Sequence, residues 1–169
     1  MLLIFCFFLA FFIVRLAFLK ISINNEKKLV TLGAKQVGER NSKVLAAAHI
    51  LYYFTALWSA YYYQVQFDVV SALGALIVTL SLFVLYYIIK QLGDIWTVKV
   101  YILPNHTINH SWIFRTFKHP NYFLNVIPEL IGIALLCQAW WVLVVGLPIY
   151  GVILAIRIHQ EQTAMQHLF

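Results

Sequence analysis

The chain has 169 residues, 63% of them hydrophobic and 11% charged, against roughly 45–50% apolar and about 25% charged in soluble domains. A chain of this length needs a polar exterior that this composition cannot supply, so an ordinary cytoplasmic globule is excluded and lipid is implied as the solvent. The formal charge of +6, from 12 Lys and Arg against 6 Asp and Glu, fits either nucleic acid or an anionic membrane surface until the bases are located.

In chain order, five apolar blocks approach the roughly 20 helical residues that cross a hydrocarbon core of about 30 Å: 2–19, 44–63, 69–89, 122–137 and 139–156. The fourth is short and interrupted by Pro128. The expected fold is all-α: one polytopic helical membrane domain over residues 1–169 with about five transmembrane helices, since too few alternating strands exist to close a barrel. The first block has no basic region ahead of it and no small-residue cleavage site after it, so it reads as a span rather than a secretory signal. About two residues join the last two blocks, which predicts a tight antiparallel hairpin. Internal repeats and low-complexity segments are absent. Cys6 and Cys137 sit in apolar runs without metal-ligand spacing and read as core thiols, with no metal site or disulfide indicated.

The bases fall on one side. Lys20, Lys27, Lys28, Lys35, Arg40 and Lys43 belong to one connection and Lys90, Lys99, Arg115 and Lys118 to the next on that side, while the opposite turns, at 64–68 and at Gln138, carry none. By the positive-inside rule the N-terminus lies outside and the C-terminus is cytoplasmic, which accounts for the charge without nucleic acid. Tyr52, Tyr53, Trp58, Tyr61, Tyr62, Tyr63, Trp140 and Trp141 gather toward span ends and read as interfacial belts.

Ionisable groups at membrane depth are the first functional candidates. Lys118-His119-Pro120-Asn121-Tyr122 opens the fourth block, and Arg157 with Glu161 closes the fifth, so the hairpin is expected to bring the two clusters together. Arg157 and Glu161 share a helix face. They read either as an interfacial ion pair with a snorkelling arginine or as a site in which Arg157 holds an anionic group and Glu161 accepts from a cofactor. His119-Pro120 reads either as a capped helix start or as irregular backbone whose free amides bind a carboxylate. The connection 92–112 is long and too apolar to be disordered, with residues 98–102 alternating like a strand. Glu129, inside the fourth span, requires a bundle-facing partner. Pro128 is expected to kink that helix, and His49 reads as a packed or bridging histidine.

Taken together, His119-Pro120-Asn121-Tyr122, Glu129-Leu130-Ile131-Gly132 and Arg157 with Glu161 resemble the signature of the isoprenylcysteine carboxyl methyltransferase family of integral-membrane enzymes. Leu92-Gly93, Trp96-Thr97-Val98-Lys99 and Leu103-Pro104-Asn105-His106 are similar to its bacterial branch. So are Arg15-Leu16, Ser22, Asn24-Asn25-Glu26 and Gly33-Ala34. In length and layout the chain most resembles bacterial members that methylate long-chain alkylpyrones made by a type III polyketide synthase, which would then be a pathway partner. The resemblance implies a cytoplasmic-face pocket for S-adenosylmethionine. Its expected ligands are His106, Thr107, Ile108, Asn109, Phe114, His119, Pro120, Asn121, Tyr122, Glu161 and Lys99, with Arg157 facing the acceptor as the catalytic group. Two positions depart from the family pattern: Lys118 replaces an arginine and loses its bidentate fork, and Gln162 replaces a second glutamate.

A sulfonium methyl donor needs no metal or covalent nucleophile, and the acceptor, a carboxylate or acidic enol, is ionised near neutral pH, so no strong general base is required. The expected acceptor is lipophilic, prenylcysteine-like or alkylpyrone-like, and enters from the bilayer of a bacterial cell membrane. An NADPH-dependent membrane reductase of similar C-terminal layout and a non-catalytic scaffold are the alternatives.

Overall fold

A computed structural model of the chain describes residues 1–102, 113, 116, 117 and 119–165. Its long helices are α1 (Leu2–Thr31), α2 (Glu39–Tyr62), α3 (Val69–Leu92) and α5 (Leu147–Met165). The last continues from a π-helical turn, Val142–Gly146. Among the described residues, four helices are long and apolar enough to cross a membrane. The remaining one, α4 (Ile127–Leu136), follows a π turn over Asn121–Val126. Their combined length, about 24 Å at about 1.5 Å per residue, falls short of the core, so the five expected spans become four spans and one short apolar helix. Large side chains such as Leu51, Phe83, Val144 and Val152 stay exposed on the helix faces, as they do where lipid rather than water is outside.

Helix α1 runs well beyond the expected 2–19. Its additional turns carry Ser22, Asn25 and Glu26, all buried, so much of what the sequence suggested as a basic connection is helix. After it, β1 (Lys35–Val37) pairs antiparallel with β2 (Val100–Ile102), Gln36 facing Tyr101. This ribbon is an addition to the all-α expectation. The alternation read over 98–102 forms strand only from Val100, because the Thr97 hydroxyl donates to the Lys99 carbonyl and the Val98 N–H is taken by Ser22.

Helices α3 and α4 meet backbone to backbone. A Cβ added to Gly74 would lie 2.2 Å from the Leu136 nitrogen, and one added to Gly132 would lie 2.9 Å from the Gly74 carbonyl oxygen. Such small-residue contacts replace the hydrophobic driving force that lipid does not supply. Around them Val78, Leu130, Ile133 and Leu136 form the interior. The α4 helix ends with Gln138 at φ 47°, its N–H bonded to the Leu135 carbonyl and that of Ala139 to Ala134, a left-handed termination that glycine usually fills. Here glutamine has a reason to occupy it, since its amide donates to the Gln66 carbonyl and to the Ser71 hydroxyl near the start of α3.

Two sequence readings change. Cys6 is exposed on α1 and only Cys137 is buried, because a lipid-facing surface is as apolar as a core. Tyr52 and Tyr53 lie inside the bundle rather than in a belt, whereas Trp58, Tyr61, Tyr62, Tyr63, Trp140 and Trp141 are exposed. Pro128 is preceded by a π turn: with no N–H to donate and a ring that clashes with the carbonyl four residues back, it favours a wider turn upstream. Pro148 stands in the same relation to Val142–Gly146.

Candidate functional site

Pro120, at φ −62°, starts the helical turn, and the His119 carbonyl accepts from the N–H groups of Tyr122 and Phe123 at 3.1 and 3.2 Å. The ring of Tyr122 stacks on His119 with centroids 5.8 Å apart, and its hydroxyl donates to Glu161 Oε2 at 2.8 Å on α5. The same hydroxyl accepts from Arg157 Nε at 3.3 Å. Hence Arg157 and Glu161, one turn apart, are bridged by a phenol, and no direct ion pair joins them among the described residues.

Arg157 is 1% exposed. Its Nη1 donates to the Ser42 hydroxyl of α2 at 2.6 Å and its Nη2 to the Val98 carbonyl at 3.1 Å. One guanidinium therefore ties α5 to α2, to the start of α4 and to the segment leading into β2. A snorkelling arginine would have put its head in water, so the purely interfacial alternative for this residue does not fit. His119, also buried, has Nδ1 3.4 Å from Glu161 Oε1, not aligned as a hydrogen bond. Its Nε2 lies 3.1 Å from the Gln162 amide nitrogen. With that amide as donor, the imidazole proton sits on Nδ1, towards Glu161.

The other expected ligands divide. Pro120 is buried beside His119, and Asn121 Oδ1 accepts from Asn125 Nδ2 at 3.2 Å. Lys99 turns to α1 instead: Nζ lies 2.6 Å from Glu26 Oε2, which raises the ammonium's pKa above its ordinary value. His106, Thr107, Ile108, Asn109 and Phe114 lie outside the described residues, as does Lys118.

A second polar cluster lies deeper. Glu129, fully buried, pairs through Oε1 with Arg15 Nε at 2.7 Å and accepts from the Tyr53 hydroxyl. His49 stacks on Tyr53, with Nδ1 3.4 Å from the Tyr150 hydroxyl. The partner that Glu129 required is thus an arginine of α1, and His49 bridges α2 and α5.

Sequence reasoning missed Ser42 and the Val98 carbonyl as arginine acceptors. A backbone acceptor leaves no sequence signal. Ser22, Asn25 and Glu26, spaced three and four apart, would have been legible as one polar helix face had α1 been extended that far. An open groove of about 520 Å³ lies at the opposite end, between α1 and α2, lined by Phe5, Phe54, Trp58 and Tyr61 among others. Its lining carries no charged side chain, unlike the cluster gathered around Arg157.

Residues 72–167 match the isoprenylcysteine carboxyl methyltransferase family, a stretch that contains every side chain of the His119–Glu161 cluster. A protein of Haemophilus influenzae described only as uncharacterized is 51% identical over 156 residues, covering 92% of this chain and 91% of that protein. The Bacillus subtilis protein YpbQ, likewise described as uncharacterized, is 30% identical over 153 residues, covering 90% of each. No solved structure matches. With four membrane-spanning helices and a polar cluster inside the matched stretch, the chain is a multi-pass membrane protein that belongs to the isoprenylcysteine carboxyl methyltransferase family.

Proposed function

We propose that the protein is an S-adenosylmethionine-dependent O-methyltransferase that esterifies or etherifies a carboxylate or acidic hydroxyl on a lipophilic acceptor, prenylcysteine-like or alkylpyrone-like. The observation that carries this reading is the Tyr122 hydroxyl joining Arg157 to Glu161 at the start of α4. The side chains fit the donor. At the same helix start, His119 Nδ1 and Asn125 Oδ1 are buried without aligned hydrogen-bond partners among the described residues, and beside them stands the half-buried carboxylate of Glu161. Such a set of donors and acceptors suits an amino-acid nucleoside better than an apolar ligand.

In this reading Glu161, held by Tyr122, accepts from hydroxyl or amine groups of the donor, and His119 keeps it oriented. The N-terminal end of the helical run that begins at Pro120 receives the donor's carboxylate. Bound there, S-adenosylmethionine supplies an electrophilic methyl group. Arg157 has five N–H groups, of which three are used by Tyr122, Ser42 and Val98, so the remainder can hold the acceptor's anionic oxygen in line for displacement. The oxygen's lone pair forms the new bond to carbon as the sulfur–carbon bond breaks. The ionised acceptor has no proton to lose.

The reading also sets the N-terminus outside and the C-terminus in the cytoplasm of a bacterial cell. Its support is that Lys28, Lys35 and Lys99 gather at the end where α1 and α3 finish, far from the Gln66–Gln138 turns. An alkylpyrone acceptor would make a type III polyketide synthase the pathway partner. The test incubates the purified protein with labelled S-adenosylmethionine and a lipid extract of its own cells, alongside calorimetric titrations with S-adenosylmethionine and NADPH. Label is expected in a lipophilic acid or enol, with binding of the methyl donor. NADPH binding without label transfer would overturn the reading in favour of a reductase, and no binding of either would favour a scaffold.

A further inference from the structure

The stretch matched to the family begins at residue 72, yet the residue whose carbonyl holds Arg157 is itself held from outside that stretch. Ser22 on α1, wholly buried, accepts the Val98 N–H at 2.9 Å and donates to Glu26 Oε1 at 3.0 Å. The other Glu26 oxygen takes Lys99 Nζ at 2.6 Å. One turn away, Asn25 Nδ2 donates to the carbonyls of Gly93 at 3.0 Å and Trp96 at 2.8 Å. Three side chains on one face of α1 thus fix four residues of the incoming chain, and the next carbonyl in that chain, Val98, accepts from Arg157 Nη2.

We infer that Ser22, Asn25 and Glu26 are positioning residues: the α1 arm sets the Val98 peptide and through it the orientation of Arg157 towards the acceptor. The part concerning the acceptor rests on the proposed methyl transfer. The N–H held by Ser22 and the carbonyl held by Arg157 lie in the two planar peptide units that meet at the Val98 Cα, so only the φ and ψ of one residue separate the two anchors. Removing the hydroxyl frees the 96–99 segment to rotate, and Arg157 loses one of its three anchors while Tyr122 and Glu161 are untouched. Acceptor use then suffers and donor binding does not.

The test compares Ser22→Ala, Ser22→Thr and Glu26→Gln with Lys28→Ala. The last breaks an exposed pair to Asp94 on the same loop but outside the relay. Hydrogen exchange over residues 96–102 reads the tether whether or not any methyl is transferred. It is expected to speed at least 10-fold in Ser22→Ala and to stay unchanged in Lys28→Ala. In the methyl-transfer assay, kcat/KM for the acceptor is expected to fall about 10-fold in Ser22→Ala with the S-adenosylmethionine Kd within twofold of the parent. Glu26→Gln should show a smaller loss, and Ser22→Thr, which keeps the hydroxyl, should recover most of the activity. Unchanged exchange over 96–102 in Ser22→Ala would overturn the tether. Faster exchange with full acceptor turnover, or a loss that Ser22→Thr does not restore, would overturn its link to Arg157. A parent protein that transfers no methyl would instead remove the proposed function and leave the exchange result to decide the tether.

Discussion

Arg15 of α1 and Glu129 of α4 form an ion pair, 2.7 Å between Nε and Oε1, inside the membrane-spanning bundle. Tyr53 of α2 donates to the same carboxylate, so three helices far apart in sequence converge on one oxygen. In lipid, unlike water, the solvent cannot compensate either charge once the other is gone.

Removing one member is therefore expected to cost more than removing both. Glu129→Leu leaves the half-buried Arg15 guanidinium without its carboxylate and is expected to destabilise the protein by up to roughly 3–5 kcal/mol, whereas the double variant Arg15→Leu/Glu129→Leu recovers most of that loss. Thermal unfolding of the parent and variants in one detergent measures the difference. A double variant no more stable than Glu129→Leu would show that the pair is not coupled.

The glycine crossing of α3 and α4 admits no side chain. Gly74→Ala sets a methyl against the Leu136 backbone, which cannot rotate aside, and is expected to lower stability by about 1–3 kcal/mol or more through overpacking. Gly151 on α5 has open space where its Cβ would lie. There Gly151→Ala should be neutral or raise Tm slightly, since alanine favours helix by about 1 kcal/mol.

Tyr122→Phe removes the hydroxyl between Arg157 and Glu161 while keeping the ring on His119. A hydrogen bond to a charged group is worth about 1.5–3 kcal/mol, so S-adenosylmethionine affinity is expected to weaken by roughly 10- to 100-fold. Calorimetric titration reads this directly. An unchanged Kd would mean that Glu161 does not need the phenol to present its carboxylate.

Lys99 supplies a pH test on the aqueous side. Glu26 raises its pKa in the folded protein, so the stabilisation is fully present below the unfolded lysine value, about 10.4, and is lost as pH rises through the higher folded value. The Tm deficit of Lys99→Met should accordingly be constant between about pH 6 and 9 and shrink only in stronger alkali. Because the lysine side chain is 40% exposed, solvent screening keeps the effect within about 1 kcal/mol. A deficit that disappears near neutral pH would contradict the assignment.

The meeting of His119-Pro120 with Arg157 and Glu161 was legible in the sequence, because two apolar blocks joined by a short turn can only fold back on each other. That Tyr122 would stand between the arginine and the glutamate was not. Helical spacing puts Arg157 and Glu161 on one face, but which neighbour fills the gap depends on the π turn ahead of Pro128. Ser42 and the Val98 carbonyl were equally invisible, lying more than a hundred and nearly sixty residues from Arg157.

What the chain by itself determined was its solvent, the number and order of its apolar helices to within one, the crowding of most of its bases into the connections between alternate apolar blocks, and the two clusters at the closing hairpin. All of these follow from local properties: hydropathy, charge and connection length. Only the tertiary structure decided that Arg15 answers Glu129, that Cys6 faces outward while Tyr53 faces in, and that α1 continues past the expected span to hold the 93–99 segment. Lipid and protein interior are equally apolar, so hydropathy cannot tell one side of such a helix from the other. The polar groups that do orient it find their partners through packing between helices, which no local pattern encodes.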